Sequence, residues 1–251
     1  MRNRKAFTLV ELLVVIGIIA LLIGILVPVL SKARASSVRT KCLSNVRSMQ
    51  IAQWAYATSN RGYLIQGGMS HGTDHANEEL TWFNVLNKYF GGKLAARCPG
   101  DMSPHFEVPM PTTTDVFRRT SYGINAFLDR DLCPWGPGFS EPDPNGQYVK
   151  IEQIKQASTV IQFVEMAWQG DYAASDHVHP NLFATQFTPS AAIPARAAQQ
   201  MQINAHGGAI NWQARANYGF LDGHAESLTL REVFTSIYVN HFDPASPQPL
   251  P

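Results

Sequence analysis

Four side chains suited to metal chemistry stand in the second half of the chain: Glu165, His206, Asp222 and His224. Imidazole and carboxylate groups together suit Zn²⁺ or Mn²⁺, while aspartate combined with backbone carbonyls suits Ca²⁺. The same residues have a simpler structural interpretation. Asp222 and Gly223 form the turn pair of a β-hairpin, and Glu165 closes a strand-like segment. Both interpretations stand at this stage, and the sequence predicts no cofactor other than such an ion.

Two other groups of histidines fall in segments that the sequence predicts to be loops. His71 and His75 have the spacing of a His-x₃-His pair, which reaches one metal ion only when it lies on a helix. Gly72 disfavours a helix there, and His177 and His179 stand in another loop-like stretch. We therefore expect all four to be solvent-exposed loop residues.

No motif in the sequence predicts an enzyme. A Gly-x-Ser-x-Gly turn, a phosphate-binding loop and a Cys/His pair in a catalytic context are all missing. The net charge of +1 gives no basis for nucleic-acid binding. Trp135, Trp168 and Trp212 could stack on a sugar or a peptide, but buried aromatic side chains are the simpler interpretation.

The three cysteines do not have the spacing of a zinc motif. Cys98 and Cys133 each precede a proline in a turn-rich stretch, so a disulfide between them is compatible with a compartment outside the cytoplasm. Cys42 lies on the apolar face of a helical pattern and is expected to be a small core residue.

The elements that would position these side chains form a loop-rich α+β head. Residues 159–168 are rich in β-branched and aromatic side chains and predict a strand, and a second short strand is predicted within 120–127. Asp222-Gly223 predicts a hairpin with a two-residue type I′ turn. The predicted elements are a short helix at 80–90, strands within 120–127 and 159–168, and a hairpin at 217–230, which together predict a small antiparallel sheet.

An amphipathic helix precedes the head. Its apolar stripe recurs every three or four residues, as a helix face requires: Val38, Cys42, Val46, Met49, Ala52 and Tyr56. Gly62 fits a left-handed helix end. The helix therefore extends over about 8–60, and Pro28 is expected to loosen it near Gly24.

The first part of this helix is almost entirely apolar, with one acidic residue. Residues 12–30 carry no charge, and a helix of that length spans about 30 Å, close to the hydrocarbon core of a bilayer. Arg2, Arg4 and Lys5 precede it and favour a cytoplasmic N-terminus. Glu11 is costly at such a depth unless it has a partner.

Two ordinary explanations of this segment are a secretory signal peptide and a simple membrane anchor. Ala33-Arg34-Ala35 has the form of a signal-peptide cleavage site, so the first stays open. Neither explains a carboxylate at position 11.

Lys5-Ala6-Phe7-Thr8-Leu9-Val10-Glu11, followed by the apolar run, resembles the leader of type IV pilins and type II secretion pseudopilins. The resemblance implies cleavage between Ala6 and Phe7 by a prepilin peptidase, N-methylation of Phe7, and pairing of Glu11 with the new amino terminus of a neighbouring subunit. The family usually has glycine where Ala6 stands. The resemblance also implies a pilin-like fold, in which a long N-terminal helix is half embedded in a head that can hold a structural Ca²⁺.

Several blocks further along the chain resemble a narrower group, the planctomycete-type prepilin-like proteins that end in a His…Asp-Gly-His block. The matching pieces are residues 42–45, 97–101, 121–125, 206–207, 217–218 and 222–224. The spacing from His206 to Asp222 is longer than that group implies.

We therefore predict a leader at 1–6, a membrane and assembly helix at 7–30, a helical spine at 31–62, an α+β head at 63–240 and a disordered tail at 241–251. The expected function is a non-enzymatic, pseudopilin-type subunit of a type II secretion or type IV pilus-like filament. The expected location is the bacterial inner membrane, as a single-pass protein with an extracytoplasmic head, or a filament at the cell surface. Its expected partners are the prepilin peptidase, other subunits through 7–30, the inner-membrane assembly machinery and the bilayer. The alternative is a non-polymerising anchored protein whose head binds a ligand or a metal.

Overall fold

The computed structural model describes residues 9–67, 81–111, 116–129 and 148–245. It divides into two compact units, Met1–Val38 and Arg39–Pro251. Helix α1, Leu9–Ser59, contributes to both. Its C-terminal end agrees within a residue with the predicted end at 60, and Pro28 lies inside it.

The first unit contains the apolar part of helix α1. Its large apolar side chains between Leu9 and Leu30 are all exposed, from 46% at Val15 to 77% at Leu9. Among the described residues, α1 is the one helix whose length and composition would let it cross a membrane. Residues 12–30 therefore form a continuous apolar surface on this unit.

The second unit begins with the remainder of helix α1, which buries one face. Cys42, Val46, Met49 and Ala52 are fully buried, which confirms the central part of the predicted stripe. The helix ends where the N–H of Gly62 donates to the carbonyl of Ala57 at 2.9 Å. Gly62 has a φ of 80°, but the left-handed cap position before it is filled by Arg61, with a φ of 55°. The predicted helix end is therefore confirmed, while the residue at the cap is Arg61 rather than the glycine.

A five-stranded sheet forms the centre of the head, in the order β3-β1-β2-β4-β5. The strands are β1 at Tyr122–Asn125, β2 at Ile161–Glu165, β3 at His177–Val178, β4 at Arg215–Phe220 and β5 at Ala225–Thr229. The α+β class and the long N-terminal helix are confirmed. The sheet is mixed rather than purely antiparallel, because β3 pairs with β1 in the parallel direction.

Short elements surround this sheet: helices α2 at Trp82–Asn87, α3 at Ile193–Ala197 and α4 at Leu230–Val233, and a hairpin of β6 at Phe234–Ser236 and β7 at Val239–Asn240. Helix α1 lies against strand β4 at Gly219. A Cβ at this glycine would stand 2.7 Å from Cγ1 of Val46 and 2.9 Å from Nε2 of Gln50. Helix and sheet approach this closely because position 219 has no side chain.

The segment after β7 belongs to the core, so the prediction of a tail from residue 241 is wrong at its start. Phe242 is fully buried and His241 is 3% exposed. The Phe242 ring packs on Phe183 with a centroid distance of 5.8 Å, and Nδ2 of Asn125 donates to the Phe242 carbonyl at 2.6 Å. A buried aromatic ring and a buried amide donor together hold Phe242 on the head.

The β4–β5 hairpin is confirmed, but its turn differs from the predicted type I′. The N–H of Phe220 donates to the carbonyl of His224, and the N–H of Gly223 donates to the carbonyl of Phe220. The loop therefore has three residues, and only Gly223 has a positive φ, of 102°. This is the type I turn followed by a left-handed residue, whereas type I′ needs two positive φ angles.

Candidate functional site

Four side chains from distant parts of the sequence meet in the head, with their candidate ligand atoms all within 4.8 Å of one another. We call this group the Cys–Glu–His cluster; it consists of Cys42, Cys98, Glu165 and His206. The two cysteines form a disulfide. All four are sheltered from solvent, with Cys42 0% and Cys98 4% exposed and the side chains of His206 and Glu165 2% and 3% exposed.

The cysteines are brought together by helix α1 and by the loop that precedes β1. Cys42 is the first buried residue of α1 and lies on the same face as Val46. Cys98 is held from the other side, because its N–H donates to Oγ of Ser121 at 2.8 Å and the N–H of Ser121 donates to the carbonyl of Ala96 at 2.8 Å. The disulfide therefore joins helix α1 to the loop that is held at the start of strand β1.

The sheet and a following turn position the other two members. Glu165 is the last residue of β2 and faces Tyr122 of β1 in the register. The N–H of His206 donates to the carbonyl of Arg215 at the start of β4, at 3.0 Å. Strand β4 pairs with β2, so this backbone contact places the His206 imidazole next to the Glu165 carboxylate. Nε2 of His206 lies 2.8 Å from Oε1 of Glu165.

Asn217 connects the cluster to the backbone of helix α1. Its N–H donates to Oε2 of Glu165 at 3.0 Å, and its Nδ2 donates to the carbonyl of Arg39 at 3.3 Å. The same Nδ2 lies 2.7 Å from Nε2 of His206. Both oxygens of the Glu165 carboxylate thus have a polar neighbour inside the head.

The carboxylate also acts on two buried tyrosines. Burial, and secondarily the charge of Glu165, raise the pKa of Tyr122 and of Tyr218 far above the ordinary value. The hydroxyl of Tyr122 accepts a hydrogen bond from Nδ2 of Asn45 at 3.0 Å. Both phenols are therefore neutral throughout the physiological range.

The predicted Cys98–Cys133 disulfide is wrong in its partner. Cys98 is bonded to Cys42, and Cys133 lies outside the described residues. Cys42 is buried as expected, but as one half of the covalent link. The buried stripe of helix α1 already placed this cysteine against the head, and that was the one sequence signal for the pairing.

The predicted metal set separates into two pairs. Glu165 and His206 lie together in the cluster, whereas Asp222 and His224 lie in the hairpin turn. Nδ1 of His224 is 2.5 Å from Oδ1 of Asp222, and the imidazole stacks on the Phe220 ring at 4.3 Å. Asp222 stands five positions beyond Asn217, about 16 Å along a strand, so the turn cannot contribute to the cluster. Sequence reasoning missed Cys42, Cys98 and Asn217 as neighbours of Glu165.

The remaining candidates have structural surroundings. His177 is fully buried on β3, with Nδ1 2.9 Å from Oδ1 of Asp176, so the expectation of an exposed loop residue is wrong for it; the pairing of β3 with β1 buries it. His179 is only partly exposed. Trp212 packs against the main core as a partly buried residue. His71, His75 and Trp135 lie outside the described residues.

An ion pair that the sequence did not suggest fixes the loop carrying Cys98. Nη2 of Arg118 lies 2.8 Å from Oδ2 of Asp101, and neither side chain is exposed. The same guanidinium donates to the carbonyls of Met166, Ala167 and Ala173. Residues 97–101 are thus fastened covalently at Cys98 and ionically at Asp101.

The processing residues are at the other end of the chain. Ala6 and Phe7 lie outside the described residues, and Glu11 lies in the first turn of helix α1. Residues 1–27 match the model of the prokaryotic N-terminal methylation motif. No curated protein and no solved structure matches the chain. Together with the apolar helix, the motif supports a membrane-anchored, prepilin-like protein that is processed at its N-terminus.

Proposed function

We infer that this protein is a pseudopilin-type structural subunit rather than an enzyme. In this proposal a prepilin peptidase cleaves between Ala6 and Phe7, and Phe7 is then N-methylated. The chain waits in the bacterial inner membrane, with its N-terminus in the cytoplasm and its head outside. The inner-membrane assembly machinery of a type II secretion or type IV pilus-like system then adds it to a filament through residues 7–30.

The observation that carries this proposal is the combination of the motif at 1–27 with the exposed apolar surface of helix α1. A continuous apolar surface over residues 12–30 must be covered, because exposed patches of that size mark membrane or protein contacts. Lipid covers it before assembly. Helices of other subunits provide an equally apolar cover afterwards, so transfer between the two costs little hydrophobic free energy.

Glu11 favours the filament over a permanent anchor. A carboxylate in an apolar helix is destabilising by about 3 kcal/mol at the centre of a bilayer and by less near its boundary. Cleavage creates a positive amino group at Phe7. Pairing of this amino group with Glu11 of a neighbouring subunit would neutralise both charges in the apolar core of a filament.

N-terminal processing is tested by intact-mass and N-terminal sequence analysis of the protein isolated from its native membrane. We expect a chain that begins at N-methylated Phe7. A matched strain lacking the prepilin peptidase should yield a chain that retains residues 1–6. A native protein that still carries residues 1–6, or that is cut after Ala35 instead, would contradict the proposal.

The role of Glu11 is tested by Glu11→Val, with Val10→Ala as the matched control. The Glu11→Val helix is more apolar, so membrane insertion should be unchanged while incorporation into filaments is lost. The control should insert and assemble. Normal assembly of Glu11→Val would refute the pairing role.

Crosslinking separates a filament subunit from a non-polymerising anchored protein. Single cysteines introduced along 12–30, in a background without the native cysteines, should give a ladder of crosslinked multimers with a helical periodicity. A chain that stays monomeric at every position is the outcome that favours the anchored protein.

A further inference from the structure

We propose that the Cys–Glu–His cluster binds one divalent metal ion of the zinc class when its disulfide is reduced. The disulfide and the metal site are then alternative states of one centre. This goes beyond the role in assembly, since it concerns the head alone and does not depend on residues 1–30.

The donor set is the first argument. Reduction provides two thiolates beside one carboxylate and one imidazole, which are the ligand types of four-coordinate zinc sites. Metal–sulfur bonds of about 2.3 Å and metal–nitrogen or metal–oxygen bonds of about 2.1 Å put tetrahedral donors about 3.4 to 3.8 Å apart. The ligand atoms already lie within 4.8 Å of one another. To reach this spacing, the Glu165–His206 contact must open from 2.8 Å, and the two sulfurs must separate from their bonded distance.

The scaffold is the second argument. The four ligands come from helix α1, the loop before β1, the end of β2 and the turn before β4, and each of these is fixed by the packing and backbone contacts described above. Each is at least nine-tenths buried, so water does not complete the coordination. A closed, buried set of four protein ligands is typical of structural rather than catalytic zinc sites.

The hydrogen bonding around Asn217 is the third argument, because protein groups alone do not complete it. Nε2 of His206 has two close neighbours, the Oε1 of Glu165 and the Nδ2 of Asn217. One imidazole nitrogen carries either a proton or a lone pair, so it can satisfy only one of the two. Oδ1 of Asn217 is buried and has no hydrogen-bond partner within the described residues. Exchanging the amide atoms does not help, because the Arg39 carbonyl at 3.3 Å requires the donor.

A bound cation replaces the proton between the imidazole and the carboxylate. A metal ion bound to the lone pair of His206 and to Glu165 needs no proton between them, and Nδ2 of Asn217 keeps the Arg39 carbonyl as its acceptor. The N–H of Asn217 then remains on the second carboxylate oxygen, as outer partners of metal ligands commonly do. The N–H of Gly100 lies 3.4 Å from Sγ of Cys98 and would stabilise the thiolate. Two thiolates and one carboxylate leave a net charge of −1 around a dication.

The chemistry balances with one external reductant. A small dithiol transfers two electrons and two protons to the Cys42–Cys98 disulfide, giving two protein thiols and the oxidised dithiol. Binding of the metal ion then releases two protons from the thiols. The oxidised dithiol can reverse the first step: it takes two electrons from the two thiolates and two protons from solvent, and becomes the dithiol again as the protein disulfide forms. The metal is then expelled, because the two sulfurs cannot bond to each other and both remain thiolate ligands.

The test uses the full chain in a non-ionic detergent, with Cys133→Ser so that every thiol belongs to the centre. Oxidised protein and protein reduced with dithiothreitol are freed of reductant under argon and incubated with ZnCl₂ or CoCl₂. Metal content is measured after gel filtration. We expect about one zinc ion per reduced chain and none per oxidised chain, and the cobalt form should show thiolate-to-cobalt charge transfer.

Matched variants distinguish the cluster from other donors. Glu165→Gln and His206→Gln keep the size of each side chain and should weaken zinc binding at least tenfold. Asp222→Asn, in the hairpin turn, should leave it unchanged. Near-ultraviolet circular dichroism reports folding of each variant. In the wild-type cluster, zinc should also slow alkylation of Cys42 and Cys98, an effect reversed by a chelator.

Three results would overturn the proposal. The reduced chain could bind no more zinc than the oxidised chain, or Glu165→Gln and His206→Gln could bind it as tightly as the parent. Zinc could also fail to protect the two thiols from alkylation. Loss of folding on reduction does not leave the question open, because a true site must then restore folding when zinc is added.

Discussion

Reduction of the Cys42–Cys98 disulfide should remove a large part of the stability of the head. The link joins residues 56 positions apart. The chain-entropy relation gives a loss of about 14 cal/mol/K in the unfolded state for a loop of this length, which is about 4 kcal/mol at 25 °C. Small domains are typically stable by about 5–15 kcal/mol. The reduced head should therefore stay folded near room temperature but unfold far more easily.

Urea unfolding in detergent, with a metal chelator present, measures this effect. The Cys133→Ser chain should be compared oxidised and reduced, with tryptophan fluorescence as the probe, to which the fully buried Trp82 contributes. For a slope of about 2 kcal/mol/M, the midpoint should fall by about 2 M on reduction. Cys42→Ala combined with Cys98→Ala serves as the control and should resemble the reduced chain.

A difference below about 1 kcal/mol between the two forms would refute this reasoning. It would mean that the contacts of Cys42 and Cys98 already restrict the unfolded chain, or that the link does not form in solution. Mass measurement of the alkylated protein separates these outcomes, because it counts the free thiols directly.

Two further predictions concern packing and pH. Gly219→Ala should lower the unfolding free energy by about 1–3 kcal/mol, since the new Cβ meets Val46; Gly91→Ala, which meets nothing within 4 Å, should have little effect, and equal values for the two would contradict the close approach. Burial lowers the pKa of His241, although its hydrogen bond to the Thr159 carbonyl opposes this. Its contribution to stability is therefore present above the unfolded value of about 6.5 and is lost as the pH falls. His241→Asn keeps a donor for that carbonyl but cannot take up a proton. Unfolding curves at pH 7.5 and 5 should therefore show a smaller fall in unfolding free energy for this variant than for the parent chain. An equal fall in both chains would contradict the role of His241.

Much of the fold follows from local patterns in the sequence. The stripe from Cys42 to Ala52 predicts the buried face of helix α1 because helical periodicity is a property of neighbouring residues. Asp222-Gly223 predicts the hairpin for the same reason. The type of turn depends on one further residue in the loop, which the dipeptide alone does not determine.

The candidate site was predicted only in part, because its members meet through tertiary structure. Glu165 and His206 have no motif spacing, and only the pairing of β2 with β4 brings them together. Cys98 has two possible partners in the sequence, and the choice depends on where the loop before β1 is held. The Arg118–Asp101 ion pair contributes to holding it, and burial of two opposite charges cannot be recognised from their positions in a chain.

The disulfide also determines how mechanical load would enter the head. Cys42 is the first buried residue of helix α1, so a pull on the preceding part of the helix meets the hydrogen bond from Asn217 to the Arg39 carbonyl and then a covalent bond, before any fully buried apolar side chain. The load then passes through Cys98 to residues 97–101 and their buried ion pair. Under tension, α1 cannot peel from its N-terminal side one contact at a time. The contacts at Val46, Met49 and Gly219 would have to yield together, which makes the oxidised head resistant to rupture and the reduced head easy to unzip.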